Sequence, residues 1–459
     1  MKGFLTENKI EYVLFHLRMN FSIPMEIMEK FEFVTGTPEL TSEKRIYFLL
    51  SDKSFNEKEI QYREGLPLFF PVLDRGGFYH IDKGNLIFHD DLIKAIFYLL
   101  SGYQELSPDS LDKMGRYPHK LSVQSKLNIT RRPLVNYYFE IINKGLTEYG
   151  KSVGLLPERR KYFNDFCFFL SHDVDRIDTY TLYELGYKLK EVFGFVQSPF
   201  NRLKTIKLAI KFFLNWLNVI NKKNPHWDFD YHLETENRFG VRSTFFFLPK
   251  GLLHQDAYYS FSEKRVKKLF KLIEKKQCEI GLHGTVRSAK QQHILNENLN
   301  EIGKYVKDIK GIRQHRLLYD VNVTPVFYHK AGLLYDTTLG FAEHEGFRNS
   351  YCLPFRLYDH KNDCMLNTWE IPLVVMDVSL FMYRKHDFAS AMDSIRIILD
   401  EVKRFNGIFS LLWHNGNFDD TLNPGIRKFY ENLLKDISEM NSESLTGSEI
   451  IGRVNEVNN

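Results

Sequence analysis

The chain reads as an α/β protein in two parts: a smaller α+β or α/β domain over residues 1–150, then a parallel barrel-like (β/α) domain over residues 160–440. Two observations predict this. Beyond Gly150, short apolar runs alternate with amphipathic stretches at helical spacing, the pattern of parallel strands joined by covering helices. Several of those runs also end in residues able to do acid–base or metal chemistry, and α/β enzymes keep their chemistry at the carboxyl ends of parallel strands.

In the first part, residues 45–50 and 66–73 read as short strands, and 79–88 as a hairpin around Lys83-Gly84-Asn85. Residues 90–102 read as an amphipathic helix that begins at an acidic cap. No catalytic constellation stands out there, and His80, His89 and His119 read as surface or satisfied histidines. In the second part, strands are expected at 165–170, 243–248, 278–282, 310–315, 369–375 and 408–413. A helix over 262–276 carries Val266, Leu269, Phe270 and Ile273 at helical spacing, with Ser262 as its cap. Further helices fit 289–307, 387–405 and 425–439. Residues 183–224 interrupt the rhythm as a helical insertion in which Lys204, Lys207 and Lys211 stand beside Ile206, Leu208, Ile210, Phe212, Phe213, Trp216 and Leu217. The basic helix 201–217 can lie on an anionic membrane, cover a site, or pack on the barrel with a solvated basic edge.

Composition narrows the function. A net charge of +4 is too mild for a nucleic-acid partner, and no basic arm carries a nucleic-acid motif. The aromatic content, 39 Phe and 25 Tyr, suits a carbohydrate groove or simply a large core. Cys167, Cys278, Cys352 and Cys364 lack the paired close spacing of a zinc site and read as buried reduced thiols. Residues 1–21 hold no uninterrupted signal-peptide core, and no run approaches 18 apolar residues, so no transmembrane helix is expected and the cytoplasm is the default compartment.

The chemistry concentrates at strand ends. The run Phe166-Cys167-Phe168-Phe169-Leu170-Ser171-His172-Asp173-Val174-Asp175 closes on two carboxylates two apart, which strand alternation puts on one face. One can hold a metal while the other takes a proton from water. His283 follows the next run but one, Arg313-Gln314-His315 another, Asp377 follows Ile371 to Val375, and Trp413-His414-Asn415 closes the last. Each alone is weak; in order on alternating strands they form one constellation.

Over roughly residues 160–440 these motifs resemble the polysaccharide deacetylases, the NodB-homology members of carbohydrate esterase family 4. The resemblance implies a distorted parallel barrel. It also implies roles: Asp173 as base, Asp175 and His283 as metal ligands, Arg313 orienting the base, Asp377 as the fourth motif, and His414 protonating the departing amine. Residues 331–341 and Gly346-Phe347-Arg348 resemble a subgroup with an uncharacterised amino-terminal domain. Hydrolysis of N-acetyl or O-acetyl groups on an amino-sugar polymer or a cell-envelope glycan precursor is the implied activity, with a divalent metal, zinc foremost, as cofactor. A silent carbohydrate-binding or assembly protein, or an amidohydrolase acting on a small cyclic amide, are the alternatives.

One position departs from the family. Four residues after His283, where a second histidine ligand is usual, stands Arg287, which stays protonated and has no lone pair to give. The site then uses two protein ligands and water, recruits another residue, or binds no metal. His315 is the best substitute, because alternation puts it on the face of Arg313. Arg287 could instead bind a uronate or phosphate on the substrate, and Trp413 is expected to line the sugar groove.

Overall fold

The computed structural model describes residues 4–106, 111–196, 198, 201–217, 224–251, 253, 256–420 and 422–458. Within the expected insertion at 183–224, residues 197, 199–200 and 218–223 lie outside the described ones.

The amino-terminal part opens with helix α1 (Glu7–Asn20), whose cap Thr6 accepts a hydrogen bond from the backbone N–H of Lys9. A four-stranded sheet follows, built from β1 (Phe31–Thr35), β2 (Ile46–Leu50), β3 (Tyr79–Asp82) and β4 (Asn85–Phe88) in the order β1-β2-β4-β3. The β3–β4 turn falls on Lys83 and Gly84, with φ of 50° and 80°, as a two-residue hairpin of this hand requires. Helices α2 (Leu92–Leu100) and α3 (Leu134–Lys151) pack on this sheet. Asp91 caps α2, one residue into the expected helix. The strand expected at 66–73 is only Leu66–Leu68, paired with Gln61–Arg63.

The second part is one curled ten-stranded sheet. Its centre is β5 (Phe166–Val174), every residue of which is buried, as expected of a strand covered on both faces. To one side lie β6 (Ser243–Phe247), β7 (Glu279–Gly284), β8 (Gly311–Gln314) and β9 (Tyr335–Asp336), all parallel. Beyond β9, β11 (Cys364–Glu370) is parallel, and β10 (Phe355–Asp359) pairs with it antiparallel at the edge. To the other side, β13 (Ile408–Leu412) and then β12 (Val375–Met376) continue parallel, and β14 (Ser442–Ser444) pairs with the start of β5. Among the described residues no pairing joins β12 to β10 or β11, so the barrel does not close through hydrogen bonds. Covering helices include α4 (Leu182–Val192), α5 (Arg202–Trp216), α6 (Phe229–Arg238), α7 (Lys264–Lys275), α8 (Gln292–Gly303), α9 (Thr324–Lys330), α10 (Phe388–Arg404), α11 (Ile426–Ser438) and α12 (Gly447–Asn458).

Three expectations are corrected here. The apolar run 369–375 is two strands, because β11 ends at Glu370 and β12 starts at Val375. Helix α7 takes Glu263, not Ser262, as its flanking residue, and Glu263 Oε1 accepts from the Ser260 N–H instead. Cys167 and Cys352 are buried, but Cys278 and Cys364 are half-exposed; all four are free thiols.

Residue 150 separates two sheets but not two cores. Apolar side chains of both parts belong to one continuous cluster, from Tyr12, Leu17 and Phe97 through Tyr351 and Phe355 to Phe168. The junction is also polar: Phe21–Ser22 pairs antiparallel with Glu158–Arg159, the Tyr12 hydroxyl donates to the Arg356 carbonyl at 2.8 Å, and buried Arg348 grips Glu105 with two hydrogen bonds of 2.9 and 2.6 Å.

Candidate active site

Parallel strands deliver the polar residues to one end of the sheet. Asp173 sits near the end of β5 and Asp175 just past it. In register, His283 of β7 lies beside Arg313 of β8, and His315 follows β8, Asp377 follows β12 and His414 follows β13 by two residues.

Arg313 is fully buried and pins Asp173. Its Nη1 donates to Asp173 Oδ1 at 2.9 Å and to Ser171 Oγ at 3.0 Å, while Nε donates to the Thr337 carbonyl at 2.9 Å. The guanidinium lies over the Phe246 ring, 4.7 Å from its centroid. That ring has room only because residue 281 is glycine: a Cβ there would meet it at 2.5 Å. Asp173 Oδ2 makes no hydrogen bond among the described residues; His283 Nε2 lies 3.6 Å from it.

His283 donates from Nδ1–H to the Arg313 carbonyl at 2.9 Å, so its Nε2 faces the cluster with its lone pair. Nε2 lies 3.2 Å from Asp175 Oδ1, and His315 Nε2 lies 3.7 Å from that same oxygen. Donor atoms of Asp175, His283 and His315 all fall within 4.8 Å of one another. Two ligands each about 2.1 Å from a tetrahedral zinc stand about 3.4 Å apart, so the spacing fits one ion. Asp175 Oδ1 is buried with no hydrogen-bond partner, an orphaned acceptor that a cation would satisfy. Burial pushes the His315 imidazole down to about 4, with His283 and Arg316 adding to this against the pull of Asp175, so it is neutral and able to ligate. Burial works against charge on Asp175, but His315, His283 and His414 together hold its carboxyl well below the usual range.

Across the site, Asp377 fixes His414. Asp377 Oδ1 accepts from His414 Nδ1 at 2.7 Å, and Oδ2 accepts from the His414 backbone N–H at 2.8 Å and from Asn417 Nδ2 at 2.7 Å. Burial opposes the imidazolium, but Asp377, with help from Asp175 and Asp173, outweighs it and raises His414 to about 10. His172 turns to the other face, between the Trp413 carbonyl and Glu236, both at 2.8 Å.

Two predicted residues are elsewhere. Trp413 is fully buried among Phe418, Phe429 and Tyr430 and cannot line a groove. Its ring packs against Phe429 and Tyr430 of α11, which puts it on the helix side of the sheet. Arg287 sits in a turn, not one helical turn above His283, and its Nη2 donates to Gln291 Oε1 at 3.0 Å; it does not line the cavity over the cluster.

That cavity, about 180 Å³, has walls the sequence did not reveal: Met114 and Arg116 from the amino-terminal part, Arg316 and Leu317, and Tyr383. Arg316 and Leu317 both adopt positive φ, 64° and 55°, which turns the chain over the site. Arg116 is braced by Asp112 at 2.8 Å and reaches the Tyr383 hydroxyl at 3.4 Å. Arg316 has no carboxylate partner among the described residues; its Nη1 donates to Met114 Sδ at 2.9 Å. The cavity shares Val378 and His414 with a second of about 440 Å³, which shares Met382 and Asn417 with a third of about 740 Å³.

A family model described as a family of unknown function, DUF7033, matches residues 4–151. It ends where the strand–helix alternation begins, so every candidate catalytic residue lies outside it. A search of curated proteins finds no match. Among solved structures, a protein assigned as a polysaccharide deacetylase from Mycobacterium smegmatis is 17% identical with a TM-score of 0.41, over 64% of this chain and 91% of that one. Another so assigned, from Pseudomonas aeruginosa PAO1, is 11% identical with a TM-score of 0.44, over 68% and 97%. Puue allantoinase is 11% identical with a TM-score of 0.43, over 67% and 95%. Likenesses this slight say nothing about the chemistry of this chain.

Proposed function

We propose that the chain hydrolyses an N-acetyl group, or less readily an O-acetyl group, on an amino-sugar polymer or a cell-envelope glycan precursor, as a polysaccharide deacetylase with an added amino-terminal domain. One observation carries this reading. Lining one cavity with a three-donor cluster are a carboxylate with an uncommitted oxygen, Asp173, and an imidazole held charged, His414. A binding module needs neither, whereas amide hydrolysis needs a base for water and an acid for the departing nitrogen.

Asp175, His283 and His315 would hold a divalent cation, and their mixed carboxylate–imidazole set suits zinc. When bound it supplies Lewis acidity, polarising the acyl carbonyl and acidifying water. The remaining work belongs to side chains. Asp173 Oδ2 accepts the proton of the attacking water, while Arg313 keeps Oδ1 engaged and the carboxylate oriented. As the C–N bond breaks, His414 gives its Nε2 proton to the leaving amine; Nδ1 is committed to Asp377, so only Nε2 can serve. Arg316 and Arg116, rather than Arg287, are the cations that the cavity offers to a uronate or phosphate on the substrate. The adjoining cavities favour an extended glycan over a small cyclic amide in a closed pocket.

Acetate release from a panel of N- and O-acetylated oligosaccharides by zinc-loaded protein tests the proposal. Asp173→Asn is expected to abolish release while leaving zinc content unchanged. If the zinc-loaded wild type releases no acetate but retains a glycan, the binding alternative replaces this reading.

A further inference from the structure

Helix α5 carries two apolar faces but, among the described residues, packs only one of them against another helix. Leu208, Ala209 and Phe212 are buried on the side that packs against α4, where Lys188 Nζ lies 5.9 Å from the Phe212 ring centroid. Leu203, Ile210, Phe213 and Leu217 fall on the opposite side at helical spacing, and they are 65%, 53%, 45% and 47% exposed. The end of α4 adds Phe193 and Phe195, 71% and 80% exposed. Solitary exposed apolar residues are ordinary; a stripe along a whole helix marks a surface that meets something apolar.

The charges say what it meets. Residues 201–217 contain Arg202, Lys204, Lys207 and Lys211 and no acidic residue. Lys204 and Lys211 run along one border of the stripe, and Lys207 lies within it, where its aliphatic stem can stay apolar while the ammonium reaches out. An apolar stripe bordered by lysines matches the boundary of an anionic bilayer, with acyl chains below and phosphate headgroups at its level. The 15 residues of α5 span about 22 Å, too short to cross a bilayer, so the helix would lie in the plane of the surface. Consistent with this, no helix among the described residues is long and apolar enough to cross a membrane.

We infer that the α4–α5 hairpin docks this protein on an anionic membrane surface through the Leu203–Ile210–Phe213–Leu217 stripe and its lysines. The hairpin's Lys188 and Ser198 also wall the 740 Å³ cavity that contains Asp377 and Asn417, so docking would bring that cavity close to the lipid surface. The inference does not depend on the hydrolase reading.

Co-sedimentation of the full chain with vesicles of phosphatidylcholine alone, or mixed with phosphatidylglycerol, tests it. The wild type is expected to sediment with the mixed vesicles only, and salt should weaken this binding. Ile210→Glu/Phe213→Glu should lose binding at least tenfold. Lys204→Gln/Lys207→Gln/Lys211→Gln, which leaves the apolar face intact, should weaken it at least roughly fivefold, the worth of one lysine at an anionic surface. Unchanged binding in both variants, or none by the wild type, overturns the inference. So does a wild-type dimer in sedimentation velocity that Ile210→Glu/Phe213→Glu dissociates, since the stripe would then belong to a second copy of the chain.

Discussion

Replacing Asp377 by Asn should change the charge of His414 at neutral pH while leaving its position nearly intact. The amide oxygen can still accept one of the two hydrogen bonds that now hold His414, but the negative charge is gone. His414 stands at about 10 with Asp377 as the strongest influence in its favour, and an unperturbed imidazole stands near 6.5. That difference is worth on the order of 4 to 5 kcal/mol between its protonation states. In the variant burial still opposes the charge and Asp175 and Asp173 still favour it; where these balance and the ring returns to about 6.5, the charged fraction at pH 8 falls from nearly all to about 3%, whereas at pH 6 about three quarters remains charged. A loss of acid catalysis should therefore approach 30-fold at pH 8 and be slight at pH 6; a merely structural defect would lower activity at every pH. Proton NMR of the histidine rings in chelator-treated protein reads the same quantity without a substrate, with His414→Gln identifying the resonance. The linked stability has a defined sign: because the folded value is raised, the contribution is fully present below about pH 6.5 and is lost as pH rises through about 10. A wild-type His414 that titrates near neutrality, or an Asp377→Asn variant that titrates where the wild type does, would refute the reasoning.

Other outcomes are expected. His283→Ala and His315→Ala should each weaken zinc binding by on the order of tenfold or more, measured by competition with a chromogenic chelator; unchanged affinity in His315→Ala would remove it from the donor set. Arg348→Ala, which leaves Glu105 buried without its partner, should cost about 3 to 5 kcal/mol in urea unfolding, and a loss below 1 kcal/mol would mean that the junction does not rely on this pair. For whichever acetylated oligosaccharide is turned over, Arg316→Ala should raise KM several-fold with kcat nearly unchanged if the substrate is acidic, while Arg287→Ala should alter neither. The reverse pattern would restore Arg287 as the residue that meets the substrate.

What was legible in the sequence was what strand geometry writes locally. Asp173 and Asp175, or Arg313 and His315, are two apart, and period-two alternation alone puts each pair on one face. The same rule also excludes Trp413, which adjoins His414, and the structure has it on the far side of the sheet. Arg287 misled because a four-residue interval matters only on a helix, and residues 286–290 are turns. Strands β9, β10 and β11 were wholly or partly missed, two-residue β9 because it is too short to show any period. Nothing local announces Met114 or Arg116, whose meeting with residues some 200 positions away is set by tertiary packing.

That packing gives the amino-terminal part a share of the cavity wall. Asp173, Asp175, His283, His315 and His414 all stand in or just past the ends of strands of one sheet, whose ladder hydrogen bonds fix the spacing of those strands. Arg116 is placed differently: Asp112 braces it from its own turn, and its hydrogen bond to the large sheet's side of the molecule goes to the Tyr383 hydroxyl. Changes in the segment around 112–117 can therefore alter what the cavity accepts without disturbing Asp173 or His414. The cost falls on the junction, which must hold that segment over the barrel. The continuous core and the buried Arg348–Glu105 pair meet that need, because a loosely tethered domain would let Arg116 wander from the cavity it lines.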